Sequence, residues 1–129
     1  MRGMSLPRVR IQTEDFDLAE EVAALRRADA SIGAVASFVG TVRDASQGRR
    51  LAAMELEHYP GMTEQAIDAM IDEAHARFDI RAARVIHRVG RLALQAQIMM
   101  VAVAATHRRP AFEACEFLMD YLKTQAPLW

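Results

Sequence analysis

Lysine is nearly absent from this chain: fifteen arginines are accompanied by one lysine, Lys123. Arginine keeps its charge throughout, so a single lysine stands out wherever chemistry needs an amine that can give up a proton. Cysteine is equally scarce. Cys115 alone excludes an internal disulfide and fits a reducing compartment. Long apolar runs are missing too. The longest, Ile98 to Ala105, falls well short of the roughly 20 residues that a membrane span needs. Met1 to Arg10 is basic, but an acidic segment follows it where a signal peptide would be apolar, so a cytoplasmic protein is expected. A formal net charge of −1 gives no reason to expect nucleic acid as a partner, and any anion site has to be local.

What is present suits one globular domain spanning 1–129, with residues 1–7 loose. Hydrophobic residues make up 52% and charged residues 26%, enough to build a core. Val9 to Gln12 reads as a short strand. Asp17 to Ala28 has helical spacing in Leu18, Val22 and Leu25, with an aspartate available as cap. From Ser31 the period becomes two, with Ile32, Ala34, Ala36, Phe38 and Val42 on one face and Val35, Ser37, Val39, Thr41 and Arg43 on the other. A polar loop from Arg43 to Arg50 follows, in which Arg49 and Arg50 suit a solvated tip, whereas Arg43 closes the strand pattern on a rigid element. Leu51 to Tyr59 alternates again, and a hairpin between these two strands is expected. His58 shares an apolar face, which suits a neutral core histidine better than a ligand.

Pro60 and Gly61 break the pattern, and Thr63 caps a helix whose stripe is Ile67, Met70, Ile71, Ala74 and Phe78. A strand from Ala83 to Val89, a turn at Gly90 and Arg91, and a central strand from Met99 to Ala105 come next. His87 has no metal-like partner at useful spacing. The alternation of helices and strands gives an α+β domain with a mixed or antiparallel sheet and packed helices.

The last fifth of the chain carries the most chemistry. His107, Arg108, Arg109 and Pro110 lie where the buried strand passes into a final helix, with Pro110 placed at its first position. Free N–H groups and the positive end of the helix dipole would then face the same space as the cations, which makes an anion site. Acids would be stabilising there, so two arginines suggest a ligand. Ala111, Ala114, Cys115, Leu118 and Leu122 form the core stripe, which argues against Cys115 as a nucleophile. Phe112, Glu116, Met119 and Lys123 run down one flank, and Lys123 emerges toward Ala126, Pro127 and Trp129.

The strings GAVASFVGTVRD, LEHYPGM, HRVGRL, HRRPAFEACEFLMDYLKT and APLW resemble the catalytic (large) subunit of molybdopterin synthase, in the same order over roughly residues 31 to 129. The resemblance implies an α/β-hammerhead type of α+β fold. It also implies a sulfurtransferase of molybdenum cofactor biosynthesis, which converts cyclic pyranopterin monophosphate to molybdopterin. Sulfur would come from the C-terminal thiocarboxylate of a small ubiquitin-like partner, and the assembly would be a heterotetramer around a large-subunit homodimer. No metal or other cofactor is implied for the subunit itself. Carried over residue by residue, Lys123 matches the family's catalytic pocket lysine, and Thr41, Val42 and Arg43 its substrate-binding strand end. His107 and Arg108 match a substrate-binding pair given by the neighbouring protomer, and Phe38 and Met119 the pocket lining.

Two departures stand out. Family members usually continue past the terminal tryptophan with a second functional lysine, whereas this sequence stops at Trp129. Their frequent Gly-Asp turn before the central strand reads Gln95 and Ala96, a change expected to touch none of the site residues. The alternative implied by the first departure is a pterin-phosphate or anion-binding module, or a scaffold subunit, without catalysis.

Overall fold

The computed structural model describes residues 8–44, the backbone of 53–56, and residues 62–125. In chain order the elements are β1 (Val9–Gln12), α1 (Leu18–Arg26), β2 (Ala34–Thr41), β3 (Ala53–Leu56), α2 (Glu64–Arg77), β4 (Ala82–Arg88), β5 (Gly90–Ala93), β6 (Gln97–Ala105) and α3 (Arg108–Gln125). The α+β class and the mixed sheet are as expected.

Both early helices start where side-chain oxygens meet otherwise unpaired N–H groups. Asp17 accepts from the Glu20 N–H at 3.3 Å, and Thr63 accepts from the Ala66 N–H at 3.0 Å. α1 stops at Arg26, two residues earlier than the spacing suggests. The Arg27 and Ala28 N–H groups there bond back to the Ala24 and Leu25 carbonyls at 3.2 and 3.1 Å.

β6 is the organising strand. Every residue from Ile98 to Ala105 is buried. Met99, Val101, Val103 and Ala105 enter the core shared with α2 and α3, while Met100, Ala102 and Ala104 pack with Leu25 and Ile86 beneath α1. A strand covered on both faces needs apolar residues at every position. The sheet order is β1-β4-β6-β2, with β1 parallel to β4 and the other pairs antiparallel.

This order corrects the expected hairpin. β2 pairs with β6, and β3 pairs with β5 in a separate two-stranded sheet. Adjacency in the chain is a weaker guide than burial: the doubly apolar β6 requires paired neighbours on both sides, and β2 is apolar enough on both faces to be one. Ile32 is a related correction. It packs with Val35 and Val39 and not with Ala36, because the regular strand begins only at Ala34. Gly90 and Arg91 form no separate turn: they open β5, with Gly90 at φ +94 redirecting the chain from one sheet to the other. The expectations for His58, for the loop at Arg49 and Arg50, and for the tail around Trp129 lie outside the described residues.

Candidate functional site

The reversal between β6 and α3 sends α3 back alongside β2, and that packing assembles the site. At the far end of both elements lies an open cavity of about 450 Å³. Phe38, Val39, Gly40 and Thr41 of β2 line it with Arg43, and Met119, Asp120 and Lys123 of α3 complete it. Five residues singled out in the sequence, Phe38, Thr41, Arg43, Met119 and Lys123, thus meet in one place. Met119 and Lys123 share a helix face at i, i+4. A register shift between Gly40 and Thr41, where the pairing skips from Met99 to Gln97, bends the ladder just before Thr41. Irregularities of this kind re-aim side chains at the ends of strands.

Val42 is different. Its side chain is 1% exposed and belongs to the core. Its backbone is clamped by the turn before β6: the Val42 N–H donates to the Ala96 carbonyl at 3.0 Å, and the Gln95 N–H donates to the Val42 carbonyl at 2.8 Å. Gln95 takes φ +71, the left-handed conformation that favours glycine. The Gln95–Ala96 departure therefore does bear on the site, since this turn holds the strand end that presents Thr41 and Arg43. It also lines a second cavity behind Arg43, with Asp44 and Leu94.

Cys115 lies one turn before Met119, its Sγ 3.8 Å from the Met119 Sδ. Burial pushes its thiol up to about 11, so it holds little thiolate at neutral pH. It is a packing residue, as its place in the core stripe suggests.

His107 and Arg108 lie at the opposite end of α3, in an open cavity of about 630 Å³ that also takes in Gly33, Ala34, Thr106, Arg109, Phe112 and Glu113. α3 begins at Arg108, which makes Pro110 its third residue instead of its first. Its missing N–H is still harmless, because the first turn has no intrahelical acceptors. No acid lies in that turn, so the helix dipole and the cations favour the same kind of ligand. Fifteen residues separate Arg108 from Lys123, about 22 Å of helix. Within one protomer the two groups do not meet.

Phe112, Glu113 and Asp120 line these cavities without having been assigned a role from sequence. Their spacing was the available signal: Phe112 and Glu113 follow Arg108 and Arg109 by four residues, and Asp120 precedes Lys123 by three. In a third arginine-rich cavity, between α1, α2 and β4, three of the four lining arginines are paired with acids. There Arg8 pairs with Asp68 and Asp72, Arg84 with Glu21, and Arg81 with Asp79. Among the described residues no group of three or more His, Cys, Asp or Glu side chains could hold a metal, and no helix is long and apolar enough to cross a membrane.

Residues 11–125 match the family model described as MoaE protein. The chain belongs to the MoaE family. It is 57% identical over 124 residues to the molybdopterin synthase catalytic subunit of Ralstonia nicotianae (strain ATCC BAA-1114 / GMI1000), covering 96% of this chain and 70% of that one. The solved molybdopterin biosynthesis MoaE protein from Burkholderia ambifaria MC40-6 is 56% identical, with a TM-score of 0.83 over 94% of this chain and 79% of that chain. A complex of subunits 1 and 2 of molybdopterin-converting factor from Helicobacter pylori 26695 shares the fold at 19% identity, with a TM-score of 0.75 over 94% of this chain and 81% of that chain. MoaE membership carries the role of an enzyme subunit in molybdenum cofactor biosynthesis.

Proposed function

We propose that this MoaE-family chain transfers sulfur to a pterin phosphate, converting cyclic pyranopterin monophosphate to molybdopterin, with sulfur delivered as the C-terminal thiocarboxylate of a small ubiquitin-like subunit. The observation that carries the reading is the convergence of Phe38, Thr41, Arg43, Met119 and Lys123 on one cavity. Lys123 is the catalytic group, acting as acid/base or as an amine nucleophile. Arg43 offers paired donors suited to phosphate or thiocarboxylate, and Thr41 adds a hydroxyl. The two-subunit complex that shares the fold is in keeping with a small partner.

His107 and Arg108 complete the site from a second copy of the chain. β2 is the last strand of its sheet among the described residues, with the His107 cavity at its start and the Lys123 cavity at its end. A twofold axis crossing β2 near its middle would place one protomer's His107 cavity beside its partner's Lys123 cavity. The substrate would then meet cations from both chains.

The test mixes the chain with a thiocarboxylated small subunit and the cyclic pterin phosphate and measures molybdopterin. Lys123→Ala is expected to lower turnover by two to four orders of magnitude, roughly what losing a positioned acid, base or nucleophile costs. Lys123→Arg should not rescue it. Undiminished product from Lys123→Ala would overturn the assignment; binding of the pterin phosphate without product in wild type as well would favour a non-catalytic module.

A further inference from the structure

Gly33 lies against the turn that carries His107 and Arg108. Its N–H donates to the Ala105 carbonyl at 2.9 Å, continuing the β2–β6 pairing one residue beyond Ala34. A Cβ at this position would lie 2.6 Å from the Thr106 carbonyl oxygen. Non-bonded carbon and oxygen atoms settle at about 3.5 Å or more, so any side chain at position 33 must push Thr106 away or be pushed itself. The backbone of Gly33 is not in the left-handed region; the glycine is required for space, not for conformation.

The strain has few places to go. Ala104 and Ala105 before Thr106 are fully buried in the sheet, and Ala111 and Ala114 after it anchor α3 in the core. Close-packed interiors do not yield to a single added methyl without cost. The intervening residues, exposed His107, Arg108 and Arg109, are the part free to move.

We propose that Gly33 is a positioning residue for the cationic turn: its lack of a side chain lets β2 and the β6–α3 connection touch, and so fixes where His107 and Arg108 present their donors. This rests on the reading of those two residues as substrate contacts. Gly33 and Thr106 line the same cavity, so a shift at their contact is a shift of the cavity wall.

The test compares Gly33→Ala with wild type in the assembled enzyme. Asp29→Ala serves as a control: it removes the 2.7 Å bond from the Ser31 N–H to the Asp29 carboxylate in the same segment but places nothing against Thr106. Gly33→Ala is expected to raise KM for the pterin phosphate on the order of tenfold, with kcat within about twofold, because the displaced groups hold the substrate and do not themselves give or take the proton or the sulfur. Asp29→Ala should lower Tm and leave KM unchanged. A Gly33→Ala enzyme with lowered Tm and wild-type KM would overturn the proposal.

A second measurement on wild type decides the matter even if Gly33→Ala does not fold. On titration with inorganic phosphate, the amide signals of Arg108, Arg109 and Gly33 should move together in two-dimensional NMR. Movement at Arg108 without Gly33 overturns the positioning role alone. Silence at all three overturns the anion site, and the positioning role with it.

Discussion

Cys115 and His75 show how local surroundings set protonation residue by residue. Cys115 titrates at about 11 because its surroundings penalise the thiolate. Iodoacetamide at pH 8 should therefore leave it almost unmodified in the folded protein and label it fully in denaturant, as read by intact mass. Rapid labelling of the native chain would mean that the thiol is open to solvent. His75 is exposed on α2, yet partial desolvation of its ring, and then the positive charge of Arg8, hold it below its ordinary value. The unfolded chain therefore takes up this proton first as pH falls, and stability is lost as pH drops through about 6.5. The melting temperature should decline between pH 7.5 and 5.5, and His75→Gln should flatten part of that slope. At the proposed anion site, Arg108→Ala removes a charge-assisted bond and should weaken pterin-phosphate binding by about 1.5–3 kcal/mol, measurable by calorimetry, while Arg27→Ala should not. Arg27 lines the cavity beside α1 and is remote from α3.

At the scale of elements, the turn at Gln95 joins local strain to site geometry. A residue other than glycine at φ +71 costs on the order of 1 kcal/mol. Gln95→Gly keeps both backbone bonds to Val42 and relieves that cost, so it should raise Tm by a few degrees in a chain of this size, with activity retained. A drop in Tm would mean that the Gln95 side chain supplies more than its backbone strain removes. The elements themselves were largely legible from the sequence. α2 announces itself through Thr63 and the stripe from Ile67, and β6 through its unbroken apolar run, because both signals are local. Pairing was not legible in that way. The partner of β2 is β6, more than fifty residues further on, and nothing in the alternation of either strand encodes that choice. The cavity at Lys123 shares the difficulty. Periodicity placed Met119 and Lys123 on one helix face, but bringing Phe38, Thr41 and Arg43 to them needs α3 to run beside β2, a consequence of the β6 reversal. Arg43 stood out as the close of the strand pattern, Phe38 and Thr41 came into view through the family resemblance, and Gly33, although it opens one of the matching strings, had no role read for it, because a missing side chain leaves no pattern to read.

At the scale of the whole molecule, the two cationic groups sit at opposite ends of β2 and α3, too far apart to hold one small substrate within a single chain. Completion by a second copy makes a demand that no single-chain site makes: two different inactive variants should rescue each other. Lys123→Ala supplies a sound His107 cavity, and His107→Ala supplies a sound Lys123 cavity. When the two are unfolded together in equal amounts and refolded, half of the dimers are mixed, and each mixed dimer has one intact composite site. The mixture should therefore recover about a quarter of wild-type activity, whereas each variant alone stays near its own low level. Recovery depends on subunit exchange, so mixing the folded dimers without denaturation should restore activity only as fast as dimers dissociate. If refolded mixtures remain at the average of the two parents, both groups must act within one protomer, and the 22 Å of helix between them would have to be bridged by the substrate or the small subunit.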